Sequence, residues 1–252
     1  MLLKFPNKIA VFTKKAGYMQ RIADYVRTGH IHYVQGKITL EKVFGFQDKM
    51  LISLPIFDDK LKAFRAREKN EPTARLLFWR PKEGDELHWI VLLHCNKEQL
   101  PKSEKWRNAL KERIELTGYE LLTVTKKDTN KPVWTWRYRP DRYADLRDSM
   151  IAAIRSKRDQ DVKLLILTIW GTMGFSGSRH QAKQLLKLLK TEWEQKRAEE
   201  IMPELPKAIG YVRRQADKVE WYSRTGKWSK PPQKPAKASQ TGKPEEPLPL
   251  AS

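Results

Sequence analysis

Cysteine is almost absent from this sequence, since Cys95 is the only one in 252 residues. A single cysteine cannot form a disulfide within the chain, and it excludes a zinc site built from several cysteine ligands. Scarce cysteine is typical of proteins from a reducing compartment. We therefore expect a cytoplasmic protein.

Long apolar runs are missing as well. The sequence contains no stretch of 18 apolar residues, which predicts a chain without a transmembrane segment. Lys4, Pro6 and Lys8 interrupt the first apolar stretches, a pattern unlike a secretory signal peptide. Familiar catalytic signatures such as Gly-x-Ser-x-Gly, His-Glu-x-x-His and the dinucleotide fingerprint are also absent. Motifs therefore leave open whether the protein is an enzyme.

Acidic residues are few relative to basic ones, with 30 Asp and Glu against 50 Lys and Arg, which gives a formal net charge of +20. The last 26 residues contain only five Lys and two Glu, so the first 226 residues retain about +17. A folded region this basic favours a polyanionic partner. Nucleic acid is the first expectation, and an anionic membrane surface is the second.

The apolar pattern predicts strands in the first part of the chain and helices after residue 139. We expect an α+β fold, with a mostly antiparallel sheet of about five to six strands and an N-terminal helix, followed by a helical segment and a disordered tail. The predicted organisation is an α+β body over residues 1–139, a helical segment packed on it over 140–214, and a basic, proline-rich disordered tail over 215–252. Two local predictions are a helix over Ser103–Lys111 and a last strand over Ile209–Arg214.

Two histidines, His30 and His32, flank Ile31 in a segment predicted as a strand, where alternate side chains share a face. Two imidazoles on one face can hold a divalent metal. The element resembles the His-hydrophobe-His element of replication-initiator and relaxase nucleases, in which a helical tyrosine attacks the scissile phosphate. The resemblance implies a metal-dependent nick in single-stranded DNA, with Tyr143 or Tyr25 as nucleophile. The alternative is a pair of polar histidines on a half-buried strand.

The glycine-rich segment Gly174–Gly177 precedes a long predicted helix that begins near Ser178. Glycines allow close backbone approach, and a helix N-terminus offers free N–H groups to an anion. Arg179, His180 and Lys183 place positive charge in the first turns, where it opposes the helix dipole. This conflict suggests a phosphate contact. The alternative is an ordinary glycine-rich turn between two helices.

The predicted strand Val133–Arg139 alternates aromatic and basic side chains. Aromatic residues on a sheet can stack on unpaired bases. More often such aromatic residues face the core and leave the basic residues at the surface. In either case Arg137, Arg139 and Arg142 form a predicted basic cluster.

Four segments of the chain are similar to a group of uncharacterised proteins from proteobacterial plasmids and integrative conjugative elements. The segments are Gly29–Gly36, Leu116–Leu121, Trp134–Arg137 and Gly174–Arg179. The similarity spans roughly residues 8–214. It implies a mobile-element setting and supplies no catalytic residue.

The sequence therefore predicts a nucleic-acid-binding protein that acts in the replication, transfer or maintenance of a bacterial mobile element. DNA and RNA both remain open as ligands, and no cofactor is expected. The predicted phosphate-binding residues are Arg137, Arg139, Arg142, Arg179, His180, Lys183, Arg213 and Arg214. One alternative is the nicking nuclease, with a divalent metal on His30 and His32. Another is a structural adaptor that binds other proteins of a nucleoprotein complex through exposed tryptophans and the proline-rich tail.

Overall fold

The computed structural model describes residues 5–57, 59–82, 84–125, 130–212 and 217–230. In these ranges the chain forms ten strands and six α-helices. Their order is β1 (Lys8–Phe12), α1 (Lys15–Arg27), β2 (His32–Thr39), α2 (Val43–Ser53), α3 (Lys60–Glu68), β3 (Thr73–Trp79), β4 (Glu86–His94), β5 (Arg107–Asn108), β6 (Glu115–Leu116), β7 (Tyr119–Thr125), β8 (Pro132–Tyr138), α4 (Pro140–Arg155), α5 (Asp159–Trp170), α6 (Ser176–Lys196), β9 (Val219–Ser223) and β10 (Trp228–Ser229).

The predicted α+β class is confirmed, but the sheet arrangement differs from the prediction. Seven strands form one sheet in the order β10-β9-β1-β3-β4-β2-β5, and β6, β7 and β8 form a second sheet. The seven-stranded sheet is mixed, because β1 runs parallel to β3. The sequence patterns showed single strands and hairpins. They carried no signal for the pairing of β1 with a strand about 60 residues away.

Helix α1 lies against the seven-stranded sheet and joins it to the rest of the core. Its buried residues include Tyr18, Met19 and Ile22. The indole Nε1 of Trp136, a fully buried residue of β8, donates a hydrogen bond to the carbonyl oxygen of Met19 at 2.9 Å. One hydrophobic cluster therefore spans α1, both sheets and helices α4, α5 and α6.

The C-terminal part of the described chain returns to the sheet. All five residues of β9 pair antiparallel with β1, and β10 pairs with β9. The prediction of a disordered tail that starts at residue 215 is therefore corrected for residues 217–230. The predicted tail residues 231–252 lie outside the described residues.

Two local predictions are also corrected. The segment predicted as a helix over Ser103–Lys111 contains the short strand β5, which pairs with β2. The last two strands of the described chain are β9 and β10, whereas residues 209–212 of the predicted strand are irregular. Within the described residues, no helix is long and apolar enough to span a membrane.

Candidate nucleic-acid interface

The aromatic residues of β8 face the core. Trp136 is completely buried and Tyr138 is 4 % exposed. The rings of Trp136 and Tyr138 are therefore not available to stack on bases, as the second interpretation predicts. Trp134, on the same face, packs against the main hydrophobic cluster but is only half-buried. Thr135 and Arg137 lie on the opposite face of the strand, as side-chain alternation requires.

Arg137 and Arg139, two of the predicted phosphate-binding residues, are engaged in ion pairs. Arg137 Nε donates to Glu120 Oε1 at 2.7 Å, and the same oxygen accepts from Arg113 Nη1 at 2.8 Å. Arg139 Nη1 donates to Glu115 Oε2 at 2.7 Å. Glu120 is 3 % exposed, and a buried carboxylate requires such partners. Arg137 is therefore held mainly by the protein itself.

Arg142, a third predicted residue, is exposed in the first turn of α4 and forms no ion pair with any described residue. It lies beside the turn that joins β6 to β7, because a Cβ added to Gly118 would be 3.5 Å from Arg142 Cγ. Thr117 and Gly118 both have positive φ, 40° and 81°, which is the backbone of a type I′ hairpin turn. This turn directs the Thr117 carbonyl oxygen toward α1.

A cavity of about 330 Å³ opens between the two sheets, next to this turn. We call it the inter-sheet cavity. Lys37, His88, Arg107 and Arg139 line it, together with the carboxylate of Glu115. Lys37 and His88 are direct cross-strand neighbours in β2 and β4, so both side chains share one face of the sheet. The described lining therefore carries three permanent positive charges. Each of them has a carboxylate partner: Lys37 pairs with Glu86 at 3.7 Å, Arg107 with Glu112 at 3.7 Å and Arg139 with Glu115 at 2.7 Å.

Lys15, at the first position of α1, adds a further cation near the same turn. Its Nζ donates to Thr117 O at 3.2 Å and lies 4.6 Å from the centre of the Tyr119 ring. No carboxylate among the described residues pairs with it. Burial lowers the pKa of Lys15 to about 8. An anion at this position would favour the charged ammonium.

The pKa of His88 depends on the same burial and on the same neighbouring cations. Burial lowers the pKa of His88, and the positive charges of Lys37 and Lys15 lower it further, while Glu86 acts in the opposite direction. Among the cations at and beside the cavity, Lys15 is therefore the one without a carboxylate partner in the described residues. Clustered cations at a cavity attract phosphate and similar anions.

The N-terminus of α6 packs against β8, which bears on the predicted phosphate contact there. The N–H of Gly177 donates to Thr135 Oγ1 at 3.0 Å. A Cβ on Gly177 would lie 2.8 Å from Trp136 O, and one on Gly174 would lie 2.3 Å from Gly210 O. The close approach that the glycines permit is therefore to other backbone segments of the protein.

The three basic residues predicted at the start of α6 have different surroundings. Arg179 donates from Nε to Ile209 O at 3.0 Å and stacks on the Tyr211 ring. His180 and Lys183 are exposed. Gln181 pairs with the backbone of Tyr138 through both its amide atoms. Helix α6 thus flanks the outer edge of β8, whereas Arg142 lies on the β7 side of the sheet. The last two predicted residues, Arg213 and Arg214, lie outside the described residues.

His30 and His32 do not form the strand pair that the sequence predicted. His30 precedes β2 and is 1 % exposed. Its Nδ1 lies 3.2 Å from Tyr25 O, and its Nε2 lies 3.3 Å from Thr73 Oγ1. Both ring nitrogens are thus within hydrogen-bond distance of protein groups. Burial, followed by the charges of Arg67, His94 and Arg75, lowers the pKa of His30 to about 3.

His32, Tyr143 and Tyr25 complete the set of nuclease candidates. Tyr25 lies half-buried on α1, with its ring centre 5.5 Å from that of His30. His32 lies on β2, almost buried, between β4 and β5. Tyr143 lies on α4, where its ring packs against the main hydrophobic cluster. No group of three or more His, Cys, Asp or Glu side chains in the described ranges is arranged to hold a metal ion.

Comparison with known proteins supplies no family: no protein family, curated protein or solved structure matches this chain. The candidate interface therefore rests on the geometry of this chain. Of the predicted residues, Arg139 lines the inter-sheet cavity and Arg142 lies at the adjacent turn.

Sequence reasoning missed Lys15, Lys37, His88 and Arg107. One signal could have identified Lys15. A cation in the first turn of a helix opposes the helix dipole, and this argument, applied to α6, holds equally for α1. Lys37, His88 and Arg107 had no such signal, because they come from three strands that meet only in the folded sheet.

Proposed function

We propose that this protein binds nucleic acid, and that phosphate groups of the ligand contact the inter-sheet cavity and the adjoining Lys15 and Arg142. The observation that carries the proposal is the convergence of Lys37, His88, Arg107 and Arg139 on one cavity beside Lys15, which has no carboxylate partner among the described residues. Charge-assisted hydrogen bonds from such groups to phosphate are stronger than those between neutral partners.

The overall charge supports a polymeric ligand over a small anion. The first 226 residues have a net charge of about +17, far more than one small anion could neutralise. Exposed basic residues outside the cavity include His180 and Lys183 on α6. A polyanion reaches several such positions at once, and the release of its counterions adds to affinity.

The proposal is tested by titration of labelled single-stranded and double-stranded DNA and RNA at two salt concentrations. We expect binding that weakens steeply with salt. Replacement of Arg107 and Arg142 together by Gln should weaken it for every sequence and reduce the log–log salt slope by roughly 0.7–0.9 for each lost phosphate contact. Lys163→Gln on α5, away from the cavity, is the matched control. Unchanged mobility of all four ligands at micromolar protein and low salt would refute the proposal.

The mobile-element setting remains part of the proposal and is supported only by the sequence similarity described above. It predicts that the ligand is an intermediate of replication or transfer, such as single-stranded DNA. A preference for single strands in the same titration would support that setting, and a preference for RNA would argue against it.

A second candidate function, the protein-binding adaptor, is favoured by one observation. Leu164, Leu167 and Trp170 are spaced three residues apart on α5, and each is more than half exposed. This spacing places them on one face of the helix. A pull-down after nuclease treatment tests the idea, with Leu164→Glu as the variant that should release any bound protein.

A further inference from the structure

A second basic pocket, of about 260 Å³, lies at the other end of α1 and shares no lining residue with the inter-sheet cavity. Four arginines from three elements line it: Arg21 and Arg27 from α1, Arg67 from α3 and Arg75 from β3. Among the described residues of the lining, Asp24 is the only carboxylate. We call this the arginine pocket.

In two of the arginines, one N–H group has no hydrogen-bond acceptor among the described residues. Arg21 Nε and Arg75 Nε are both buried and have no hydrogen-bond partner among the described residues. An unpaired buried donor is costly, and in native proteins it often marks a missing water or ion.

The remaining guanidinium nitrogens hold two of the arginines in place. Arg21 Nη2 donates to Asp217 Oδ1 at 2.7 Å, and Arg75 Nη1 donates to Phe57 O at 2.8 Å. The Arg75 guanidinium also lies 5.4 Å from the centre of the Tyr25 ring. These contacts fix the side chains before any ligand binds, which lowers the entropic cost of binding.

Arg67 differs from them, because it forms no ion pair with any described residue. It is half-buried on α3, beside the buried imidazole of His30. Its positive charge is therefore uncompensated within the described structure. Arg27, which is 60 % exposed, sits at the mouth of the pocket with Asp24 as its ion-pair partner.

We propose that the arginine pocket binds a phosphoryl group. Four guanidinium groups around one cavity match this ligand, since the planar fork of arginine donates two parallel hydrogen bonds to a phosphate. A volume of 260 Å³ admits a phosphate with part of the sugar or other group that carries it. The phosphoryl group could belong to a nucleic-acid end or to a small phosphorylated compound, which share this chemistry.

The first experiment measures the binding of inorganic phosphate to the full chain by isothermal titration calorimetry, at constant ionic strength set with chloride. We expect saturable binding that Arg67→Gln weakens by roughly tenfold, because one charge-assisted hydrogen bond is lost. Arg67→Lys keeps the charge but loses the planar fork, so an intermediate affinity is expected. Arg67 is not a core residue, so both variants should fold, and circular dichroism checks this.

The control is Lys163→Gln on α5, which removes one exposed charge from a residue that lines neither cavity and leaves the arginine pocket intact. It should bind phosphate like the wild type. The proposal is overturned if phosphate produces no more heat than chloride, or if Arg67→Gln binds phosphate as well as the wild type does.

The second experiment distinguishes the two sources of the phosphoryl group. It compares an oligonucleotide that carries a 5′-phosphate with the same oligonucleotide ending in a 5′-hydroxyl. A tighter complex with the 5′-phosphate that Arg67→Gln abolishes identifies a nucleic-acid end as the source. Equal binding of both oligonucleotides, together with Arg67-dependent phosphate binding, identifies a small phosphorylated compound. Neither result depends on the inter-sheet cavity, so this proposal can fail while the proposed function stands.

Discussion

At the residue scale, the basic side chains of this protein differ in whether the fold places a carboxylate beside them. Arg137 pairs with a buried carboxylate, whereas Lys15 is partly buried against a carbonyl oxygen and an aromatic ring with no carboxylate partner among the described residues. Both were plain basic residues in the sequence. Only the first had been predicted as a phosphate contact, yet the second is the more available for one.

Lys15 gives a pH-dependent prediction for the proposed function. Its pKa of about 8 means that the free protein loses this charge as the pH rises through 8, whereas a bound phosphate favours the charged form. Affinity for an oligonucleotide should therefore fall above pH 8, by up to about tenfold per pH unit for one linked proton. The affinity of the Lys15→Arg variant for the oligonucleotide should depend less on pH, because guanidinium stays protonated. Fluorescence anisotropy across this range measures the effect, and identical pH profiles in both proteins would contradict it.

His30 gives a prediction about stability. Its pKa is about 3 in the folded protein and near 6.5 in the unfolded chain, so the unfolded state binds the proton more strongly. The neutral imidazole makes its full contribution to the free energy of unfolding above pH 6.5. That contribution is lost as the pH falls toward 3. The free energy of unfolding should thus decrease by up to about 1.4 kcal/mol per pH unit below pH 6.

Urea denaturation at several pH values tests this dependence. The His30→Gln variant should be less stable at neutral pH and show a shallower slope, since it cannot take up the proton on unfolding. A slope equal to that of the wild type would contradict the assignment of His30 as a buried neutral side chain.

At the element scale, α6 is positioned by its contact with the edge of β8. The N-terminal N–H of Gly177 is bound by Thr135, and Gln181 pairs with the free backbone groups of Tyr138. The sequence predicted the helix and its glycine-rich start. It could not show which group the glycines approach, because a phosphate and a neighbouring strand require the same small residue.

A pair of helical glycines tests this packing. Gly177→Ala should destabilise the fold by about 1–3 kcal/mol, because its Cβ would lie 2.8 Å from a backbone oxygen. Gly45→Ala lies on the exposed face of α2, where the new Cβ would have no described atom within 4 Å apart from the adjoining backbone of its own helix. This variant should instead stabilise by about 0.5–1 kcal/mol. Thermal or chemical denaturation measures both. Equal effects at the two positions would show that the contact between α6 and β8 is not tight.

At the scale of the whole molecule, residues 217–230 close the edge of the seven-stranded sheet beside β1. Ile9 and Val11 of β1 are buried, and Tyr222 and Trp228 pack against the cluster that contains them. This region of the sequence is rich in charge and adjoins the proline-rich segment. The tail prediction followed that composition and so missed two strands that gain stability from long-range pairing, because β9 pairs with β1 and β10 pairs with β9.

Truncation of the chain tests the role of this edge. A chain that ends at Val212 should lose about 3 kcal/mol or more of unfolding free energy, or lose cooperative unfolding altogether, because β1 becomes an uncovered edge. A chain that ends at Lys230 retains every described strand and should keep the melting temperature of the full chain. Differential scanning calorimetry compares them, and equal melting temperatures for both truncations would contradict the structural role of β9.

The sequence by itself determined the features that depend on near neighbours in the chain. These are the α+β class, helix α1, the inward aromatic residues of β8 and the strong positive charge. The tertiary structure decided which residues meet. It buried His30, paired Arg137 with Glu120, inserted β1 beside β3 and brought cations from separate strands around the inter-sheet cavity. The physical reason is that periodicity and charge are properties of short segments, whereas cavities and ion pairs arise from contacts between residues far apart in sequence.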